Sequence, residues 1–185
     1  MLRKRLGIYE YTTNCECLFR IEQARADQTV TLADGTRICT GDPVLKLHLW
    51  NEQWPTMSPA GATVAWACRV RRALRLSLCE LARHLAEQSG GEPFVAICAD
   101  MRLARARESQ QLLRIVTRLG FERQKDPEVR PGRLHRLGEV ILMCLLLLAT
   151  NPAALHSSSL RRHYLRIYLS PKTLVRCYGA RAARV

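Results

Sequence analysis

From residue 18 to residue 50 the chain alternates apolar and polar positions with a period of two, and after residue 63 the period lengthens to that of a helix. Leu18 to Glu22, Thr29 to Leu32, Thr36 to Cys39 and Val44 to Leu49 read as strands. Asp34-Gly35 supplies a tight turn between the second and third of these, and Gly41-Asp42-Pro43 a corner before the fourth. Within Val44 to Leu49 the alternation puts Val44, Lys46 and His48 on one side and Leu45, Leu47 and Leu49 on the other. His48 is therefore expected to point away from the aliphatic face. Asn51 to Gly61, with two prolines and Trp54, reads as a loop.

The loop leads into a long helix from Val64 to Ala86, whose apolar stripe runs through Val64, Ala67, Cys68, Arg71, Leu74, Leu78, Leu81, Ala82 and Leu85. Gly90-Gly91 ends it, and Phe94 to Ala99 is a short apolar run suited to a central strand. Arg105 to Leu119 reads as the next helix, closed by Gly120, and Leu134 to Ala149 as an apolar helix stopped by Asn151-Pro152. Leu160, Tyr164, Ile167 and Tyr168 have partial helical spacing, with Ser158 or Ser159 as a cap. The chain is expected to pack as far as Tyr178. These elements predict one domain over residues 1–185, α+β or α/β, with an N-terminal antiparallel sheet and at least three helices. Its ordered core is expected over about 10–178, with 180–185 frayed.

The chain is strongly basic. The formal net charge is +13, and the last 25 residues carry Arg161, Arg162, Arg166, Lys172, Arg176, Arg181 and Arg184 with no Asp or Glu. Such a field calls for solvent or an anionic partner. Arg outnumbers Lys heavily, which favours bidentate contacts to phosphate or carboxylate, although a GC-rich genome produces the same bias. The eight cysteines are dispersed, and Cys68, Cys79, Cys98 and Cys144 fall in apolar runs, as reduced core thiols do. The N-terminus has no apolar signal core, and Leu137 to Ala149 contains Glu139 and is shorter than the roughly 20 residues that span a bilayer. A cytoplasmic protein with peripheral contact at the inner membrane surface is the expectation.

His48, Trp50, Asn51, Glu52 and Trp54 form the densest chemical cluster. His48 can hold an anionic oxygen or take a proton, Asn51 can orient a ligand, and the indoles can form an apolar wall. The plainer reading is a strand end that satisfies its own loop while the two tryptophans close the core. Arg161, Arg162 and Arg166 either clamp a phosphate or line a solvated face. Asp100, after the Phe94 to Ala99 run, stands where a strand-end acid can serve catalysis or cap a helix. The histidines lack metal-ligand spacing, Ser157 to Ser159 lack a nucleophile elbow, and there is no Walker or dinucleotide fingerprint. No metal is expected and no cofactor is identified.

Leu32-Ala-Asp-Gly-Thr-Arg-Ile38, Thr40-Gly41-Asp42-Pro43-Val44 and Leu47-His48-Leu49-Trp50-Asn51 together resemble the YkoP-like domain, found alone or attached to bacterial polysaccharide deacetylases. The resemblance implies a bacterial protein of envelope or glycan biology, with His48 and Asn51 as functional surface and without the metal motifs of the attached enzyme. Arg118-Leu119-Gly120-Phe121-Glu122 also faintly resembles the end of an acyl-coenzyme-A-dependent acetyltransferase. The expected function is a noncatalytic, envelope-associated binding or accessory domain for an anionic lipid or glycan-related ligand, with nucleic acid a weaker partner. His48, Trp50, Asn51, Trp54, Arg161, Arg162 and Arg166 would form the ligand site. The alternative is a small transferase using a phosphate-bearing acyl donor, with His48 or Asp100 as the base.

Overall fold

A computed structural model describes residues 7–56, 63–88, 93–103, 113–123 and 163–179. Six strands form one sheet: β1 (Ile8–Tyr9), β2 (Phe19–Arg25), β5 (Pro43–Leu49), β6 (Ala96–Leu103), β8 (His163–Leu169) and β7 (Glu122–Arg123), in that spatial order. β3 (Val30–Thr31) and β4 (Arg37–Ile38) form a separate hairpin. Its turn is built by Gly35 at φ 82° and by Asp34 Oδ1, which accepts from Thr36 N at 3.0 Å. The sheet is antiparallel except for β5 and β6, which run parallel and are joined through the helix α1 (Val64–Glu87). The result is a single α+β domain with an antiparallel N-terminal sheet, as the alternation before residue 50 predicts.

The period-two pattern sorts side chains onto two faces. Ile21, Leu45, Leu47, Ile97, Leu165, Ile167 and Leu169 form one face and pack with Leu78, Leu81 and Ala82 of α1. Residues 113–118 (α2), the short helix α3 (Pro171–Leu174) and the wider turn Val175–Gly179 complete this helical layer through Val116, Leu174 and Tyr178. Ser77 pins the layer to the sheet: its hydroxyl accepts from Leu18 N at 2.8 Å, and its carbonyl accepts from Tyr11 Oη at 2.8 Å. On the opposite face Leu32 and Ile38 of the hairpin pack on Ala24, Val44, Ala96, Cys98 and Tyr168. The hairpin covers only part of that face.

Three expectations change. The α1 stripe meets the core only from Leu74 onward: Leu78 and Leu81 are fully buried, whereas Val64 is 83% exposed and Ala67, Cys68 and Arg71 are exposed. Helical spacing reports which residues share a stripe, not how far along it the core extends. β6 continues past Ala99 to Leu103, because β8 goes on pairing with it from Asp100↔Arg166 to Leu103↔His163. Asp100 is thus inside a strand. The segment around Arg166 is a strand and not a helix: Leu165, Ile167 and Leu169 alternate with Arg166 and Tyr168 across the sheet, and cross-strand pairing decides the ambiguity. The expected Leu134 to Ala149 helix, Arg161, Arg162 and residues 180–185 lie outside the described residues.

Candidate functional site

The uncovered part of the second face carries charge. Glu22 on β2 is the register partner of Lys46 on β5, Arg20 is the partner of His48, and Asp100 on β6 is the partner of Arg166 on β8. These positions fall on one face because each is offset by an even number of residues from Ala24, Val44, Ala96 and Tyr168 beneath the hairpin. Lys46 Nζ lies 2.9 Å from Asp100 Oδ2. Arg166 donates through Nε to Asp100 Oδ1 at 2.6 Å and through Nη2 to Oδ2 at 3.1 Å, a two-pronged clamp, while its Nη1 reaches Asp27 Oδ1 at 2.5 Å. His48 Nε2 and Glu22 Oε2 are 2.7 Å apart. The side chains of Glu22, Lys46, His48, Asp100 and Arg166 are each between 23% and 29% exposed, so solvent reaches all five.

The arrangement locks its own ionisation. Burial alone raises the Asp100 pKa, but hydrogen bonds from Arg166 and the charge of Lys46 outweigh it and hold the carboxyl below its ordinary value. Burial draws Lys46 down, and Asp100 with Glu22 more than restores it, leaving it raised. The same balance, with Asp100 and Asp27 opposing burial, raises Arg166. Beneath the network, burial pushes the Cys98 thiol up to about 12, which makes it a packing residue and no nucleophile.

A topological feature adds to the charge. The parallel register of β5 and β6 runs from Val44↔Ala96 to Leu47↔Ala99 and then stops, although β5 continues to Leu49 and β6 to Leu103. The strands thus part at their carboxyl ends, where open sheets with parallel strands commonly hold ligands. His48 and Asp100 are the first face residues beyond the last register pair.

The residues named from sequence fall into three groups. His48 and Arg166 share this face, two strand spacings or about 10 Å apart, with β6 between them. Trp50, at the end of β5, is stacked by the nearly buried Arg20, whose Cζ is 4.2 Å from the ring centroid and whose guanidinium also meets Glu10 and Glu52. Asn51 opens the 3-10 turn Asn51–Gln53, and Trp54 follows, half-buried. Trp50 also lines an open cavity of about 560 Å³ between the β1–β2 connection and α1, with Glu10, Thr12, Glu80, Arg83 and His84 among its walls.

Two features go beyond the sequence pattern. Asp27 and Glu22 complete the network, and only pairing across up to 139 residues of sequence reveals them. The second is the first half of α1, where Arg69, Arg71 and Arg72 are exposed and Arg75 is half-buried. No Asp or Glu occurs between residues 53 and 79. Glu16 approaches Arg72 at 4.0 Å with both side chains mostly in solvent, a pairing worth little. Trp66 Nε1 donates to Pro55 O at 2.9 Å and ties this basic helix start to the segment that follows Trp54.

No curated protein and no solved structure is significantly similar to the chain. A family comparison does identify it: the YkoP domain matches residues 8–178, from β1 to the turn after α3, and so takes in the hairpin, the parted strands and the charged face together. The chain belongs to the YkoP domain family.

Proposed function

We propose that this YkoP domain is a noncatalytic, envelope-associated binding or accessory module for an anionic lipid or glycan-related ligand. The observation that carries the reading is the exposed arginine field on α1. Among the described residues its cations have little carboxylate competition, whereas Arg166 is already held by Asp100 and Asp27. Each cation near an anionic surface is worth about 1 kcal/mol, so four account for roughly a thousandfold in affinity. Exposed Val64 at the start of the same helix adds an apolar contact, and the 48–54 segment beside Pro55 provides the specificity half. Peripheral contact at the inner membrane surface follows from this reading. Nucleic acid is a weaker partner because the basic face comes with no base-reading module. Binding to anionic vesicles, acidic glycan and nucleic acid is compared at roughly 0.15 M salt. Retention on vesicles or glycan is expected, and retention on nucleic acid alone refutes the partner class.

One observation favours a second reading, a small transferase with a phosphate-bearing acyl donor: the parted ends of β5 and β6 bring His48 and Asp100 to one face. In that reading His48, oriented by Glu22, takes the acceptor proton. Asp100, kept ionised by its two cations, positions them. Acyl transfer that disappears in His48→Gln with an unchanged melting temperature supports this reading; absence of turnover with the unaltered chain rejects it.

A further inference from the structure

We infer that the open cavity between the β1–β2 connection and α1 is a binding site for a ligand that carries a primary ammonium, with Glu80 as its counter-charge. The site takes the opposite charge from the arginine field, so it goes beyond the proposed anion contact and does not depend on it. Its volume of about 560 Å³ falls in the range of small-molecule sites. Glu80 is the informative wall residue. Its side chain is only 6% exposed, and both of its contacts, from the Thr12 hydroxyl at 3.0 Å and from Arg83 Nη2, go to Oε2. Oε1 meets no donor among the described residues, so solvent or a ligand in the cavity has to satisfy it. One helical turn further on the same wall, His84 Nε2 is buried with no hydrogen-bond partner among the described residues, its ring tilted against Tyr11 with centroids 5.7 Å apart. The wall is thus short of partners at two neighbouring positions.

Charge selects the ligand. Glu10, Glu80 and Glu87 line the cavity against Arg83, and Arg20, stacked on Trp50, is shared between Glu10 and Glu52. Arg20 counted in full still leaves Glu10, Glu80 and Glu87, three carboxylates, against two guanidiniums among the described residues. Burial lowers the His84 pKa, so its ring adds no charge at neutral pH. His84 and Glu87 also stand in the last turn of α1, where the helix dipole is negative. Glu10, Glu80, His84 and Glu87 provide no group of three close enough to share a metal ion, so the cation that fits is molecular. Trp50 gives the body of such an amine an apolar surface.

Aromatic amines, amino sugars and alkyl diamines all present this chemistry. The test titrates the full chain with tyramine, glucosamine and cadaverine, and with the uncharged N-acetyltyramine and N-acetylglucosamine, following the backbone amides of Thr12, Trp50, Glu80 and His84 by NMR. At least one amine is expected to shift these amides at millimolar concentration, and the strongest of the three identifies the carrier. Acetylation should weaken the response about tenfold or more. The whole chain is at +13 and repels cations, so a shift confined to this cavity does not come from the general field. Glu80→Gln keeps an acceptor for Thr12 and Arg83 but removes the charge, and amine affinity should fall about tenfold or more. If that variant does not fold, Glu87→Gln at the exposed end of the helix replaces it, with a loss of about twofold or more expected. Silence from all three amines, acetylated counterparts that bind as tightly, or unchanged amine affinity in the variant that folds overturns the inference. Vesicle binding through the arginines of α1 is a separate readout, so the two proposals fail independently.

Discussion

The two faces of one sheet are made by the same strands, one residue out of step, and they do different things. Leu45, Leu47, Ile97 and Leu169 point into a layer where almost no side chain sees water. Lys46, His48 and Asp100, each an odd number of residues from those on its own strand, point to a face where the described charges are paired and still reachable by solvent. The first face holds the domain together through burial, at about 1.5–3 kcal/mol for each large aliphatic side chain. The second gains little from its ion pairs, because desolvation offsets most of their attraction.

The sharpest way to break this contrast is to cut each face in turn. On the apolar face Leu81→Ala removes a fully buried side chain opposite the sheet and should cost about 2–5 kcal/mol in denaturant unfolding. On the polar face Asp100→Ala strands Lys46 and Arg166 beside each other and should cost less, about 1–3 kcal/mol. Adding Arg166→Ala should return part of that loss, since the second substitution removes a charge the first left unpaired. A double-mutant cycle reads the coupling. Equal losses on the two faces, or a strictly additive cycle, would show that the polar face is ordinary core.

A smaller effect is expected from pH. The Asp100 carboxyl is held below its ordinary 3.8, so the folded state binds fewer protons than the unfolded state as the pH falls. Its contribution is fully present above that value and is lost as pH falls through the lower folded value. Asp100→Asn should therefore flatten the acid limb of a stability profile below about pH 4 and leave the neutral region with its shape. An acid limb of unchanged slope would remove Asp100 from the account.

Much of this was legible in the chain itself. The alternation in Val44 to Leu49 assigns Lys46 and His48 to the non-aliphatic face, and Asp34-Gly35 marks the hairpin turn, because both are local matters of strand pleat and glycine geometry. Partners across the sheet were not legible. Asp100 and Arg166 are 66 residues apart, and nothing local to either says that they are register partners. Tyr164 and Tyr168 fit a helical spacing as well as Leu165, Ile167 and Leu169 fit a strand, and only the neighbouring β6 settles the matter. The same limit applies to α1. Its stripe is continuous in sequence, but only its later turns meet the core, and the first turns carry Arg69, Arg71 and Arg72 into solvent.

That last contrast, arginines left open on α1 against an arginine occupied on β8, is the centre of the functional reading. Cosedimentation with vesicles of mixed neutral and anionic phospholipid, at roughly 0.15 M salt, tests it directly. The fourfold variant Arg69→Gln, Arg71→Gln, Arg72→Gln and Arg75→Gln is compared with Arg166→Gln and with the unaltered chain. The fourfold variant should lose about a hundredfold or more in affinity, while Arg166→Gln should bind nearly as the unaltered chain does. Retained binding in the fourfold variant, together with loss in Arg166→Gln, would contradict the account and return the anion site to the sheet face.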